Sequence, residues 1–555
     1  MMKTNRLITL LAPLLLGLAG CGGGSAGGAT PPPPPPPPPP VTKAEAYQFL
    51  NQSSFGATEA EAERVISMRQ EAWIDEQLAM PASLQLPHLQ ALAAPGVMPF
   101  ELQDDRVDIW FRNVLNRDDQ LRQRVAFALS EIFVVSQLGT LTNQPWSLGS
   151  FYDLLAQNAF GNYRDLIEAV TLHPAMGVYL SMLGNQKPDP VNNIRPDENY
   201  ARELMQLFSI GLVELNIDGS EKLDPQGQPI PTYDQSIIEG FAHVYTGWTY
   251  ANSPSFREAR PTYFNQVVPM QLYPDFHDTG PKKLLNGVVL DGNQSGEQDL
   301  ANALDNVFNH PNVGPFMAIR LIQRLTASNP SPGYIERVAR VFNDNGFGER
   351  GDLGAVVKAI LLDEEARPAL RMEIDGKIKE PLLRLTQLYR VYDAQSESGK
   401  YGPGFINILL GQGPLQSPSV FNFFSPFYAP PGEIRNSSLV APELEIATEY
   451  QNTQVTNYFL LQIFVYNWMI DRNDPNSNYN EDSILITFEE EMNIADDANA
   501  LVDMVADKLL GGEISDTLRS EVIGMVGLIP PEEKLVRAVE AIYFISTSPE
   551  FAYQR

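Results

Sequence analysis

From residue 43 to the end, apolar residues return every three or four positions, and alternating runs longer than four residues are few. That period lays an apolar stripe along one side of a helix, whereas a strand needs a period of two. The spacing predicts helices over 104–116, 119–136, 151–159, 196–212, 233–248, 299–309, 313–326, 332–344, 352–366, 442–470, 495–510 and 531–546, and with them an all-α fold. Loops are expected over 80–100, 138–148, 184–195, 216–232, 250–298, 395–418 and 471–482. The 250–298 stretch is too long for a plain connector, so it is expected to fold as a lid or to hold minor β structure. The organisation that follows is a leader over 1–20, a linker over 21–42, a main helical domain over 43–430 and a further helical segment of the same body over 431–555.

Ahead of the helices the chain has a different character. Lys3 and Arg6 give a positive start, and Leu7–Leu18 give an apolar stretch too short to span a membrane, which together read as a signal peptide. The stretch ends in Leu18-Ala19-Gly20-Cys21, similar to a bacterial lipobox, in which the thiol is acylated and the peptide is cut just before it. An ordinary secretory leader with an incidental thiol is the alternative. Cys21 is the only cysteine, so the mature body has no disulfide, no Cys nucleophile and no Cys metal ligand, and its stability must come from its core. The glycine-rich segment Gly22–Gly28 is flexible, whereas the ten prolines Pro31–Pro40 form a polyproline rod of about 3.1 Å per residue, a spacer of roughly 30 Å. The expected location is therefore the cell envelope, attached to the membrane through a lipid at Cys21. Gly22, standing where an Asp often retains lipoproteins at the inner membrane, favours the outer one.

With 39 Lys and Arg against 68 Asp and Glu, the formal charge is −29. A surface so acidic repels phosphate backbones and speaks against nucleic acid as a partner. It suits solubility, or calcium-bearing surroundings.

Three places gather chemistry. In Asp197–Leu212, helical spacing puts Tyr200, Leu204, Leu207 and Phe208 on one side and Asn199, Arg202, Glu203 and Gln206 on the other. Glu198 and Arg202 are spaced for an i,i+4 ion pair, while Glu203 is the candidate acid or ligand. In 233–248, Ile237, Phe241, Val244, Tyr245 and Trp248 make an apolar stripe, Thr232 or Asp234 caps the start, and Glu239 and His243 stand one above the other. A carboxylate and an imidazole at that spacing can share one metal, and a surface or core histidine is the plainer alternative. The turn His277-Asp278-Thr279-Gly280-Pro281-Lys282-Lys283 brings an imidazole, a carboxylate and two ammonium groups together. Catalytic candidates are thus Glu203, Arg202, His277 and Asp278, and candidate ligands for a divalent metal are Glu239, His243, His277 and Asp278. Asp474, Asn476, Asn478, Asn480 and Asp482 alternate like a calcium loop but lack the glycine and closing Glu of an EF-hand. In His173-Pro174 and His310-Pro311 the proline pushes the histidine away from helical geometry, which suits a helix boundary. Gly346–Gly351 spells a dinucleotide fingerprint in letters, yet it follows a helical pattern instead of a strand and reads as a linker.

The Asp197–Leu212 helix, with His173-Pro174-Ala175-Met176, Thr246-Gly247-Trp248, His277-Asp278 with Lys283, His310-Pro311, Ser328-Asn329-Pro330, Arg350-Gly351-Asp352-Leu353 and Pro418–Phe423, resembles a large family of exported bacterial proteins known as domain of unknown function 1800. The resemblance covers nearly all of 45–555 and rests most on Asn199, Tyr200, Arg202, Glu203, Gly247, Trp248, His277, Asp278 and Lys283. It implies an exported, largely helical protein. Its relatives are commonly encoded beside a second exported family that looks like the alkaline phosphatase and sulfatase superfamily. The expected role is a lipid-anchored scaffold or accessory protein of the envelope, acting with such a hydrolase-like partner. The alternatives are a metal-dependent hydrolase of an envelope or extracellular polymer and a calcium-stabilised surface or adhesion module.

Overall fold

The computed structural model describes residues 39–93, 97–367, 376–402, 405–469 and 481–554. Cys21 and the calcium candidates Asp474, Asn476, Asn478 and Asn480 lie outside the described residues, while Asp482 lies within them.

Among the described residues the fold is predominantly α, as the apolar period predicts. At its centre is the helix Gln120–Ser130, every residue of which is buried. Around it pack Lys43–Ser53, Glu59–Ala79, Glu101–Asn116, Pro145–Gln157 and Val313–Leu325. Trp110 fixes part of this contact, with Phe55 and Phe127 at ring separations of 5.4 and 5.8 Å. The buried apolar residues form one continuous core from Val41 to Phe551, and Val41–Arg555 is one compact unit, so the segment after 430 shares the core of the rest.

Several boundaries differ from the sequence pattern for local reasons. The expected 138–148 loop already contains the start of the Pro145–Gln157 helix, where proline occupies a first-turn position whose N–H is not needed. Leu86–Leu92, inside the expected 80–100 loop, is helical with the same proline placement. His173 ends Tyr163–Leu172 and starts Pro174–Tyr179, its side chain accepting from the Ala175 N–H, which is the helix boundary expected of a histidine before proline. Gly346–Gly351 links Pro332–Asn343 to Leu353–Leu362 without a strand.

The strands are short antiparallel pairs: Trp248–Thr249 with Gln271–Leu272, Lys282–Lys283 with Val289–Leu290, and Lys377–Ile378 with Tyr553–Gln554. The first two fall in the long connection after the Gln235–Val244 helix and give the 250–298 stretch its minor β structure. No described helix is long and apolar enough to cross a membrane.

Candidate functional site

The Gln235–Val244 helix begins at Asp234, whose carboxylate accepts from the Ile237 N–H at 3.1 Å, so Asp234 rather than Thr232 is the cap. On one side Ile237, Phe241 and Val244 are buried. On the other, Gly240 lies directly beneath the Lys283 backbone: a β-carbon there would sit 1.9 Å from the Lys283 carbonyl oxygen. This close approach lays the 277–283 turn against the helix and brings together residues 35 positions apart. Gly247, at φ +88°, makes the return bend, and a β-carbon on it would meet the His277 backbone nitrogen at 3.0 Å.

The turn has an inner and an outer layer. Inside, His277, Asp299 and Lys282 are almost fully buried. The Lys282 ammonium contacts Asp299 Oδ2 at 2.6 Å and donates to the carbonyls of Asp278 and Gly280, closing the turn on itself. His277 Nδ1 lies 2.9 Å from the Thr246 carbonyl, and Nε2 lies 3.1 Å from Asp299 Oδ2. Both ring nitrogens are therefore occupied by protein oxygens.

Outside, Asp278 Oδ2 is hydrogen-bonded to His243 Nδ1, and its other oxygen accepts from the Gly280 N–H at 2.7 Å. The Thr246 hydroxyl accepts from the Asp278 N–H and donates to the His243 carbonyl, so the backbones of both partners are pinned through one side chain. The hydrogen bond from His243 holds the Asp278 carboxyl down, at about 2, against the upward push of burial. His243 Nε2 has no partner among the described residues, and the side chain is one-third exposed. The pair is an imidazole oriented by a carboxylate with its second nitrogen free, the arrangement that general acid–base chemistry requires.

Of the four metal candidates, His243 and Asp278 are thus joined to each other and His277 is turned inward, while Glu239 is exposed one turn up the helix. Among the described residues no three His, Cys, Asp or Glu side chains are arranged so that they could hold one metal ion.

Glu203 and Arg202 sit on the neighbouring Asn199–Glu203 helix, which packs against Gln235–Val244. Arg202 pairs with Glu198 at 3.1 Å, the ion pair its spacing predicts, and Glu198 also accepts from Gln235. Glu203, expected on the polar side, is buried; its Oε2 has no hydrogen-bond partner, and burial pushes the carboxyl up while Arg202 works against this. The Tyr233 hydroxyl beside it is also buried without a partner and is pushed up to about 12, by burial first. Immediately after Glu203 the chain enters a π-helical turn, Leu204–Ser209. The Ser209 hydroxyl donates to the Leu204 carbonyl five residues back, and the Ile210 N–H reaches Met205. Such widened turns recur at functional sites.

Sequence reasoning did not single out Asp299, Thr246 as a backbone clamp, or Lys282 over its neighbour Lys283. The exposed Lys283 only tethers Ser236 and Asp234 at the helix start. It also passed over a deep ionic cluster in which Lys377 meets Glu380 at 3.3 Å and Glu443 at 3.1 Å, while Arg324 lies 3.6 Å from Glu131. Burial pushes the Glu131 carboxyl up, and the Glu380 charge adds to it. At Glu380 burial is outweighed by Lys377 and Arg124, which hold its carboxyl below the ordinary range.

Neither a curated protein nor a solved structure matches the chain. The model of one family, described as Protein of unknown function (DUF1800), matches residues 48–553, nearly the whole of the folded body, and the chain belongs to that family.

Proposed function

We propose that this protein is a lipid-anchored scaffold or accessory protein of the cell envelope, exported, tethered at Cys21 on the outer membrane and acting with an exported hydrolase-like partner. The observation that carries the reading is the order of parts: a charged and apolar leader, the only cysteine, a ten-proline spacer and then one compact body. A rod of this kind holds a body off a bilayer while leaving its surface open. Support for a protein partner comes from 405–460, where Phe405, Ile408, Phe421, Phe427 and Tyr450 are each more than half exposed. Affinity capture of the tagged full chain from its own cells tests the reading. Reproducible enrichment of one exported hydrolase-like protein is expected, and repeated capture without any envelope partner contradicts it.

A second reading, hydrolysis of an envelope or extracellular polymer, is favoured by one observation, the oriented and half-open His243–Asp278 pair. Under it, His243 takes a proton from water through Nε2 while Asp278 steadies the ring. Turnover of cell-wall or exopolysaccharide material that disappears in His243→Ala, with the protein still folded, is what this reading requires; equal turnover by that variant removes it.

A further inference from the structure

Buried cations are stable where an anion or several carbonyls stand against them. Lys377 has Glu380 and Glu443, Lys282 has Asp299, and the Arg390 guanidinium donates to the carbonyls of Gly56, Val114 and Leu115. Beyond the Lys377–Ile378 strand this pattern breaks. Lys379 is buried, and among the described residues its ammonium has one hydrogen bond, to Gln387 Oε1 at 2.6 Å, and the face of Phe551 at 4.0 Å. Arg384, one turn into the Pro381–Val391 helix, has a guanidinium with no hydrogen-bond partner among the described residues; its Nε is fully buried and its charge lies over the Phe459 ring at 5.6 Å. Among the described residues neither cation is paired with a carboxylate. Burial drives the Lys379 ammonium well below its ordinary range and the nearby Arg384 charge drives it further, while burial alone brings Arg384 down to about 10.

Both cations line the same cavity, of about 170 Å³, whose remaining wall is largely apolar and includes Ile378, Val455 and Pro549. Glu443 also lines it. Its Oε1 is committed to Lys377 at 3.1 Å, and its Oε2 is buried without a partner among the described residues. The volume is too small for a drug-sized or nucleotide ligand.

We propose that this cavity is a binding site for a small monocarboxylate with a branched apolar body. The carboxylate lies against the unpaired fork of Arg384, which matches its two oxygens, with the Lys379 charge beside it. The apolar body fills the space toward Ile378, Val455 and Pro549. The site is separate from the His243–Asp278 pair and independent of how the protein is anchored.

The test uses the full chain and three probes: isovalerate, its neutral amide isovaleramide, and inorganic phosphate. Thermal unfolding and titration calorimetry are read for the parent and for Arg384→Gln. Saturable binding of isovalerate with a raised Tm is expected, with no response to the amide. In Arg384→Gln the response is lost while the unliganded Tm stays at or above that of the parent, because this side chain holds no hydrogen bond whose loss would orphan a partner. A merely structural Arg384 would instead lower that Tm. Should Arg384→Gln fail to fold, Arg384→Lys keeps the charge without the fork and is expected to bind isovalerate at least tenfold more weakly. Parent protein that ignores isovalerate, an Arg384→Gln response equal to the parent's, or binding of phosphate alone overturns the assignment.

Discussion

Asp278 divides its two oxygens between two tasks, orienting His243 with one and closing its own turn onto the Gly280 N–H with the other. Because its carboxyl titrates at about 2, below the ordinary carboxylate value, the stability it contributes is present above that ordinary value and is lost as pH falls through about 2. Asp278→Asn is expected to cost about 1 kcal/mol at neutral pH after allowance for partial exposure, with the difference from the parent shrinking as pH falls from about 4 to 2 in chemical denaturation. A constant difference across that range would mean that the carboxylate charge is idle. Glu203 has the opposite sign. Its raised carboxyl keeps its proton to higher pH in the folded protein than in the unfolded chain, so ionisation destabilises the fold as pH rises. Glu203→Gln, of nearly the same shape, is expected to raise Tm at pH 7 by a few tenths to about 1 kcal/mol equivalent and to have no effect in acid. A lowered Tm at pH 7 would show that the charge is used in the fold.

Among elements, the contact that makes the outer site is the seating of the Lys282–Lys283 strand on the Gln235–Val244 helix at Gly240. A methyl group there has no free space and meets backbone, which cannot rotate aside. Gly240→Ala is expected to destabilise by about 2–3 kcal/mol and to release His243 from Asp278, visible as a His243 ring shifted in NMR. Unchanged stability would mean that helix and strand do not touch. The helices themselves were legible, since Ile237, Phe241 and Val244 or Leu300, Ala303, Leu304 and Val307 repeat at helical spacing and are buried as that spacing demands. The widened turn after Glu203 was not, because its i→i+5 bonding, seen where the Ser209 hydroxyl donates to the Leu204 carbonyl, has no signature in the apolar period. Glu203 itself precedes that turn and is buried on a helix that packs against Gln235–Val244.

On the scale of the whole molecule, what escaped the sequence is what depends on distant segments meeting. His243 and Asp278 come from separate stretches of the chain, and the Gly240 contact and the Thr246 hydroxyl seat them together. Val313–Leu325 is buried almost all round, and its Arg324 turns inward toward Glu131, a residue of a different helical stretch. Lys377, Glu380 and Glu443 come from two stretches that no local pattern connects. By contrast, the leader, the lone cysteine and the proline rod are continuous in sequence, so the placement proposed for the protein rests on local features. Its central claim is that the body is carried on a lipid at Cys21. Mass spectrometry of the N-terminal peptide of the protein isolated from its own envelope tests this directly. The account predicts a mature chain that begins at Cys21 and bears diacylglycerol on its thiol, and an N-terminus elsewhere or an unmodified Cys21 would contradict it.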